Sequence, residues 1–391
     1  MNDNNKQSNT HTHRIVRVTL TPLGNFFFGG QKLTEVEKEK DYYIKSLYFP
    51  SQTVILGMLR QELLMQNGLF PLGSSDSNEK KEKAIKLIGE KSFNPSFENC
   101  DQEVQDFGSI EELSPVFITR NKNRAFHVLP GDYGFPYSPK EDGQAFFNNT
   151  NAETKSFLPY LDGYKSKKRP PDRLISKESP EMIVELKDLF IPDEQVGITK
   201  GKEGQTQEDA YYKQVFLRLK KGYAFSFYLK LKKKVNEESV KFDSNFVFFG
   251  GERSAFRMDI EEKITEKTVA NLFDETIPEL KGSKILLTGD AFVEPSILNI
   301  CDFSVSQSVY SRNLRSSVRT TNHYSNLSNQ KNDTTPYLGT PYNLLARGTV
   351  LYYSNNSTLD RIRGLLDKPG NKKVGFNYYK IFPLQKEKGK E

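Results

Sequence analysis

Arg14–Leu20 alternates polar with apolar or β-branched positions, the two-residue period of a strand with one buried face. Thr21-Pro22-Leu23-Gly24 ends it, and Phe26-Phe27-Phe28-Gly29-Gly30 follows as a loop. After Phe49-Pro50 the period changes. Val54, Leu56, Leu59, Leu63 and Leu64 recur at helical spacing as far as about Gln66. Ser51 or Thr53 can cap this helix, and Asn67-Gly68 stops it. Residues 73–112 are polar and charged, an insertion with a short helix near Glu82–Ile88.

Pro115–Thr119 and Arg124–Leu129 read as two short strands around Arg120-Asn121-Lys122-Asn123. Residues 130–210 are rich in Gly, Pro, Lys and Asp and show little periodicity. Gln214–Leu219 and Tyr223–Leu231 are expected to pair around Lys220-Lys221-Gly222. A short helix over Glu237–Asn245 and a strand over Ser254–Ile260 then flank Phe249-Gly250-Gly251-Glu252-Arg253. Lys284–Val293 and Gly348–Tyr353 read as strands, separated by a polar, basic stretch at 304–341. Leu359, Ile362, Leu365 and Leu366 mark an amphipathic helix, Lys368–Lys373 a loop, and Val374–Phe382 the last strand.

Each half thus runs strand, long excursion, strand, short helix, Gly-containing loop, strand. The pattern predicts an α+β fold of two tandem ferredoxin-like (RRM-like) domains with long loop insertions. Residues 1–13 form a flexible tail, 14–262 the first domain with insertions at 73–112 and 130–210, and 281–385 the second with an insertion at 304–341.

Composition narrows the function. The 391 residues are 36% apolar with a mean hydropathy of -0.64, but 28 Phe and 19 Tyr argue for ordered cores. No apolar run approaches the roughly 18 residues of a membrane helix. No apolar leader precedes Arg14, so a cytoplasmic location is expected. Two distant cysteines, Cys100 and Cys301, offer neither a disulfide framework nor a zinc site. A net charge of +6 permits a nucleic-acid partner without requiring one.

Catalytic signatures are sparse. The four histidines are His11 and His13 in the tail, His127 in a strand-like run, and His323 in the basic stretch. No P-loop, nucleophile elbow or His-Glu-x-x-His motif occurs, and no cofactor or metal is called for. Basic elements carry more. Lys165, Lys167, Lys168 and Arg169 concentrate charge in a loop beside Tyr164, suited to a phosphate backbone and a stacked base. Arg312, Arg315 and Arg319 would share one helical face, with no acid from Phe303 to Asn332. Ser51, Thr53 and Arg60 stand at and along the first helix, where free N–H groups attract phosphate. Arg253, Lys372 and Lys373 lie beside Gly-containing turns.

Four segments, in order, resemble one family. Leu47-Tyr48-Phe49-Pro50-Ser51-Gln52-Thr53-Val54-Ile55-Leu56-Gly57-Met58-Leu59-Arg60 is similar to the aromatic-proline segment and following helix of RAMP proteins. Val196-Gly197-Ile198 with Thr206 and Asp209-Ala210-Tyr211-Tyr212 is the second, and Phe249–Arg253 the third. Ala346-Arg347-Gly348-Thr349-Val350-Leu351-Tyr352-Tyr353 is the fourth. The family supplies the third subunit of Cmr, the type III-B CRISPR effector; the equivalent subunit of a type III-A complex is the alternative. The resemblance implies two ferredoxin-like domains and no catalysis. It implies an antiviral subunit that holds the 5′ repeat-derived tag of the CRISPR RNA, meets target RNA only indirectly, and contacts the large polymerase-like subunit and the first backbone subunit. It also implies a protruding β-hairpin, which either excursion could supply.

Three readings remain at this stage. The first is the non-catalytic RNA-binding subunit. The second is a RAMP endoribonuclease that processes CRISPR RNA with His127 or His323 as base. The third is a scaffold whose basic loops meet acidic proteins.

Overall fold

Strand β1 (His13–Pro22) lies at the centre of the fold, between strands made much later in the chain. The computed structural model describes residues 13–29, 33–34, 42–73, 75–90, 93, 105–121, 124–134, 137–138, 160–161, 172–179, 181–200, 206–235, 238–262, 264–265, 284–315, 337–353 and 355–382. In its first half, strands of three or more residues continue with β2 (Tyr42–Lys45), β3 (Ile110–Leu113), β4 (Phe117–Arg120), β5 (Arg124–Val128), β6 (Arg173–Ser176) and β7 (Ile183–Glu185). Next come β8 (Phe190–Lys200), β9 (Thr206–Leu219), β10 (Tyr223–Lys232), β11 (Asn245–Phe249) and β12 (Ser254–Glu261). The second half has β13 (Lys284–Leu287), β14 (Phe303–Val305), β15 (Ser308–Arg315), β16 (Tyr337–Leu345), β17 (Val350–Tyr352) and β18 (Tyr379–Phe382). Helices are α1 (Gln52–Gln66), α2 (Asn78–Ile88), α3 (Ile297–Ile300), α4 (Asn356–Leu366) and α5 (Pro369–Lys373).

The architecture is mixed α/β and rich in sheet. A nine-stranded sheet runs β7-β6-β5-β4-β10-β1-β12-β11, with β3 also paired to β10. Val16, Val18 and Leu20 of β1 alternate onto its inner face with Phe225, Phe227, Phe256 and Met258. Helix α1 lays Ile55, Leu56, Leu59, Leu63 and Leu64 into the same core. Phenylalanines fill the space between: Phe26 lies 4.6 Å from Phe28, and Phe249 4.3 Å from Phe256, ring centre to ring centre. A second sheet, β8-β9-β2 with the short piece Leu33–Thr34 at its edge, joins the first through a bridge between Phe26 and Leu217.

In the second half the sheet order is β14-β17-β13-β18, every neighbour antiparallel. In chain order this half runs strand β13, helix α3, strands β14 and β17, helices α4 and α5, strand β18. Within the large sheet, β4, β10, β1 and β12 stand in the same relative order. No described residue between β10 and β12 is helical. The expected helix over 237–245 is therefore replaced from residue 238 on by a two-residue strand, Glu238–Ser239, and irregular chain. The apolar spacing there serves packing of Val240 and Phe242 instead.

Other expectations also change. Residues 214–219 and 223–231 do not pair: β9 joins β8 and β2, while β10 joins β1, β3 and β4. β10 is buried on both faces and needs the centre of the large sheet. The excursion 130–210 contains β6, β7 and most of a long hairpin, β8–β9, and 304–341 contains much of the β15–β16 hairpin. Residues 369–373 form α5 rather than a loop, with Pro369 at the start where its missing N–H costs nothing. The last strand is confined to Tyr379–Phe382.

The two halves share one core. Phe292, Leu344, Val374 and Phe376 of the second half belong to the hydrophobic cluster of the first. Gln52 Nε2 donates to Ser114 O at 3.0 Å, and a Cβ at Gly375 would fall 1.6 Å from that nitrogen. Only glycine, here at φ 87°, lets the second half seat so closely.

Candidate functional site

Two of the four singled-out segments meet at this seam, and a run of phenylalanine rings links them to the third. Phe49, just before α1, lies under the guanidinium of Arg347, 4.1 Å from ring centre to Cζ. Arg347 donates from Nε and Nη2 to the Asp290 carboxylate, each at 3.2 Å, and from Nη1 to Val116 O at 2.6 Å. Phe49 also packs edge-on to Phe225, whose ring meets Phe28, and Phe28 stacks on Phe249 of the third segment. There Gly250, at φ 80°, would place a Cβ 2.8 Å from Phe27 O.

The second segment spans the β8–β9 hairpin. Gly197 stands directly opposite Tyr212, and Ile198 opposite Tyr211. The base of β9 is anchored, since Val215, Phe216 and Leu217 are buried. β8 is the edge strand, and Ile191 and Val196 on it are exposed. Lys213 pairs with Glu194 at 2.6 Å and lies over the Tyr43 ring.

The predicted site residues separate into three groups. Ser51 is the N-cap of α1: its Oγ accepts from Val54 N at 3.4 Å and bonds Thr53 Oγ1 at 3.0 Å. Arg60 turns inward and donates to Gly89 O at 2.9 Å, fixing the end of α2. Burial lowers its pKa from the ordinary arginine value. Lys372 pairs with Asp367 and covers the Tyr379 ring, and Lys373 donates to Gln105 O at 3.3 Å. These five side chains have internal work.

Arg253 is presented outward. It is exposed in the β11–β12 turn, where Glu252 at φ 56° and Arg253 at φ 48° both take left-handed backbone. Arg312 and Arg315 lie on β15, so the helical face that would have grouped them does not form. Lys165, Lys167, Lys168, Arg169 and Arg319, like His323, fall outside the described residues.

The face of the large sheet away from α1 is closed at its centre. Thr19, Ser226 and Thr119 form a buried chain of hydroxyls, at 3.1 and 3.0 Å, on the face away from α1. His127 is buried on that face against Phe117, and desolvation drives its pKa down to about 3. It is neutral at pH 7 and shielded from solvent, which is poor placement for a base acting on RNA. Among the described residues, no group of three or more His, Cys, Asp or Glu could hold a metal ion, and no helix is long and apolar enough to cross a membrane.

Sequence reading passed over Arg347, Asp290, Asp132 and Lys284. Lys284 Nζ and the Tyr352 hydroxyl both bond Asp132 Oδ2 in a buried cluster between the halves. Only the lone Arg347 before Gly348, within the fourth segment, offered a signal.

The family model for CRISPR-associated protein Cas_Cmr3 matches residues 18–381, a span that contains all four segments in order. The chain belongs to the Cmr3 family. The resemblance to a Cmr RAMP subunit is thereby upheld. No curated protein matches this Cmr3-family sequence. Among solved structures it is similar to a chain of a type III-B Cmr-beta complex bound to cognate target RNA and AMPPnP. The two share 12% identity at a TM-score of 0.47, with 93% of this chain and 95% of that one covered. A chain of a Csm3-Csm4 subcomplex from a type III-A interference complex matches at 12% identity and a TM-score of 0.34, covering 87% and 93%.

Proposed function

We propose that this Cmr3-family chain is a non-catalytic RNA-binding subunit of a type III-B effector. It holds the 5′ repeat-derived tag of the CRISPR RNA and joins the large polymerase-like subunit to the backbone, in the cytoplasm, in antiviral defence. The two halves are tandem ferredoxin-like units, the first lacking its second helix. The shared strand order, β4-β10-β1-β12 and β14-β17-β13-β18, supports that reading.

The observation that carries the function is the β8–β9 hairpin. Its base is locked in the core, its edge strand is open, and the second segment lies across both strands. A hairpin of this kind, two-stranded beyond Tyr211, suits laying against single-stranded RNA and displacing bases from a stack. The β15–β16 hairpin, with Arg312 and Arg315, is a second arm. The burial of His127 counts against the nuclease alternative.

The test is co-purification of the tagged chain with the products of neighbouring genes, followed by sequencing of bound RNA. A multi-subunit particle carrying RNAs with one repeat-derived 5′ end is expected, and the isolated chain should leave repeat RNA uncut. Recovery of the chain alone, or cleavage by it, overturns the proposal.

A further inference from the structure

Arg120 stands directly opposite Arg124 across the β4–β5 hairpin, and opposite Tyr223 on its other side. Asn121 N–H donates to Gly222 O at 2.8 Å, which holds the end of that hairpin against the Lys220–Tyr223 turn. Two stretches about a hundred residues apart in sequence thus place Arg120, Arg124, Lys220 and Lys221 together.

None of the four is ion-paired among the described residues. Arg120 lies over the Tyr223 ring at 5.4 Å, and Arg124 reaches Met182 Sδ at 3.2 Å. Lys220 and Lys221 are exposed. Glu178, beside Arg124 in the fold, accepts from Ala125 N at 3.0 Å, and Glu185 pairs with Lys187 at 2.7 Å.

Like charges directly opposite on a ladder destabilise it. Retaining such a pair with no described carboxylate bonded to either guanidinium makes sense where an external anion supplies the countercharge. The four groups spread over two turns, the lysines exposed and the arginines half-buried, which suits a chain of phosphates more than one small anion. Guanidinium forks match phosphate oxygens in pairs. An acidic protein partner fits less well, because protein interfaces centre on apolar and aromatic side chains. Among the described residues, the exposed large apolar side chains, such as Ile191, Val196, Phe246 and Phe248, all lie on other segments.

We propose that the ends of β4 and β5 and the Lys220–Tyr223 turn form a contact for the phosphate backbone of single-stranded RNA, with Arg120, Arg124, Lys220 and Lys221 as donors. This rests on the RNA-binding reading above and adds to it a site away from the two hairpin arms.

The experiment is fluorescence anisotropy of the full chain with a fluorescein-labelled 20-mer oligouridine over a range of salt concentrations. The triple variant Arg124→Gln/Lys220→Gln/Lys221→Gln is expected to bind at least tenfold more weakly at low salt. Its log–log salt slope should fall by about 0.7 for each cation removed, about 2 in all. The single variants Lys220→Gln and Lys221→Gln, at exposed turn positions, read the same slope one step at a time if the triple variant does not fold. Folded variants with wild-type slope and affinity overturn this site and leave the RNA-binding reading standing. A wild-type chain that does not bind the probe overturns both. A variant that keeps RNA but no longer co-purifies with its protein partners overturns the site in favour of an acidic protein surface.

Discussion

The Arg347 guanidinium sits over Phe49, 4.1 Å from the ring centre, joining the second half to the residue that introduces the first helix. The same side chain is nearly buried, and so is its partner Asp290. Arg347→Ala therefore removes a stacked cation and leaves a carboxylate without its fork. A loss of about 3 kcal/mol is expected, read from the urea midpoint. Arg347→Lys should recover less than half, because an ammonium cannot reach Asp290 and Val116 O together.

Lys284 and Asp132 make a second link between the halves, with both side chains almost fully buried. Asp132→Asn strands a buried ammonium and should cost about 3–5 kcal/mol. Asp132→Leu with Lys284→Met replaces the pair by apolar volume and should recover most of that. A double-mutant cycle of Asp132→Leu, Lys284→Met and the two together in urea measures the coupling; single losses that simply add in the double variant would contradict the ion pair as the cause.

His127 gives the protein a pH dependence of known sign. Its folded pKa is about 3, below the unfolded 6.5, so between those values the unfolded chain binds one more proton. Its contribution to stability is complete above pH 6.5 and is lost as pH falls, at about 1.4 kcal/mol per pH unit. His127→Leu should flatten the fall in stability between pH 6.5 and 4.5 relative to wild type. Parallel curves for the two proteins would show that the ring is not held neutral.

Two glycines should respond in opposite directions to alanine. Gly250 holds φ 80° with Phe27 O in the way, so Gly250→Ala should cost about 2 kcal/mol or more. Gly364 lies inside α4 with open space around its Cα, so Gly364→Ala should add about 1 kcal/mol. Thermal melts of the two variants settle both signs.

Helix α1 was legible in the sequence because its signals are local: Ser51 caps it, the leucine spacing runs through it, and Asn67-Gly68 ends it. β10 was legible as a strand but not in its partners. Lys220-Lys221-Gly222 has the chemistry of a hairpin turn, yet β1 and β4 compete for β10 and win by burying both its faces. β8 was missed because Pro192, Asp193, Glu194 and Gln195 lack strand propensity; an edge strand open to solvent tolerates them. The candidate site shows the same limit. Arg253 beside its glycines could be singled out, and Arg60 could not be told from a surface arginine until Gly89 appeared beside it. Arg120, Arg124, Lys220 and Lys221 each read as ordinary turn residues, and only the register that brings two turns together gives them a meaning.

The position of β1 sets a clock on synthesis. It is made well before both its neighbours, which are complete only when translation reaches Glu261. At about 5–20 residues per second that interval is roughly ten to fifty seconds. Until Lys232 is made, Val16, Val18 and Leu20 have no sheet to enter, and one edge of the strand stays open to other nascent chains until Glu261. The yield of folded protein should therefore depend on translation speed and on chaperones that shield the first strand, more than on the stability of the finished molecule.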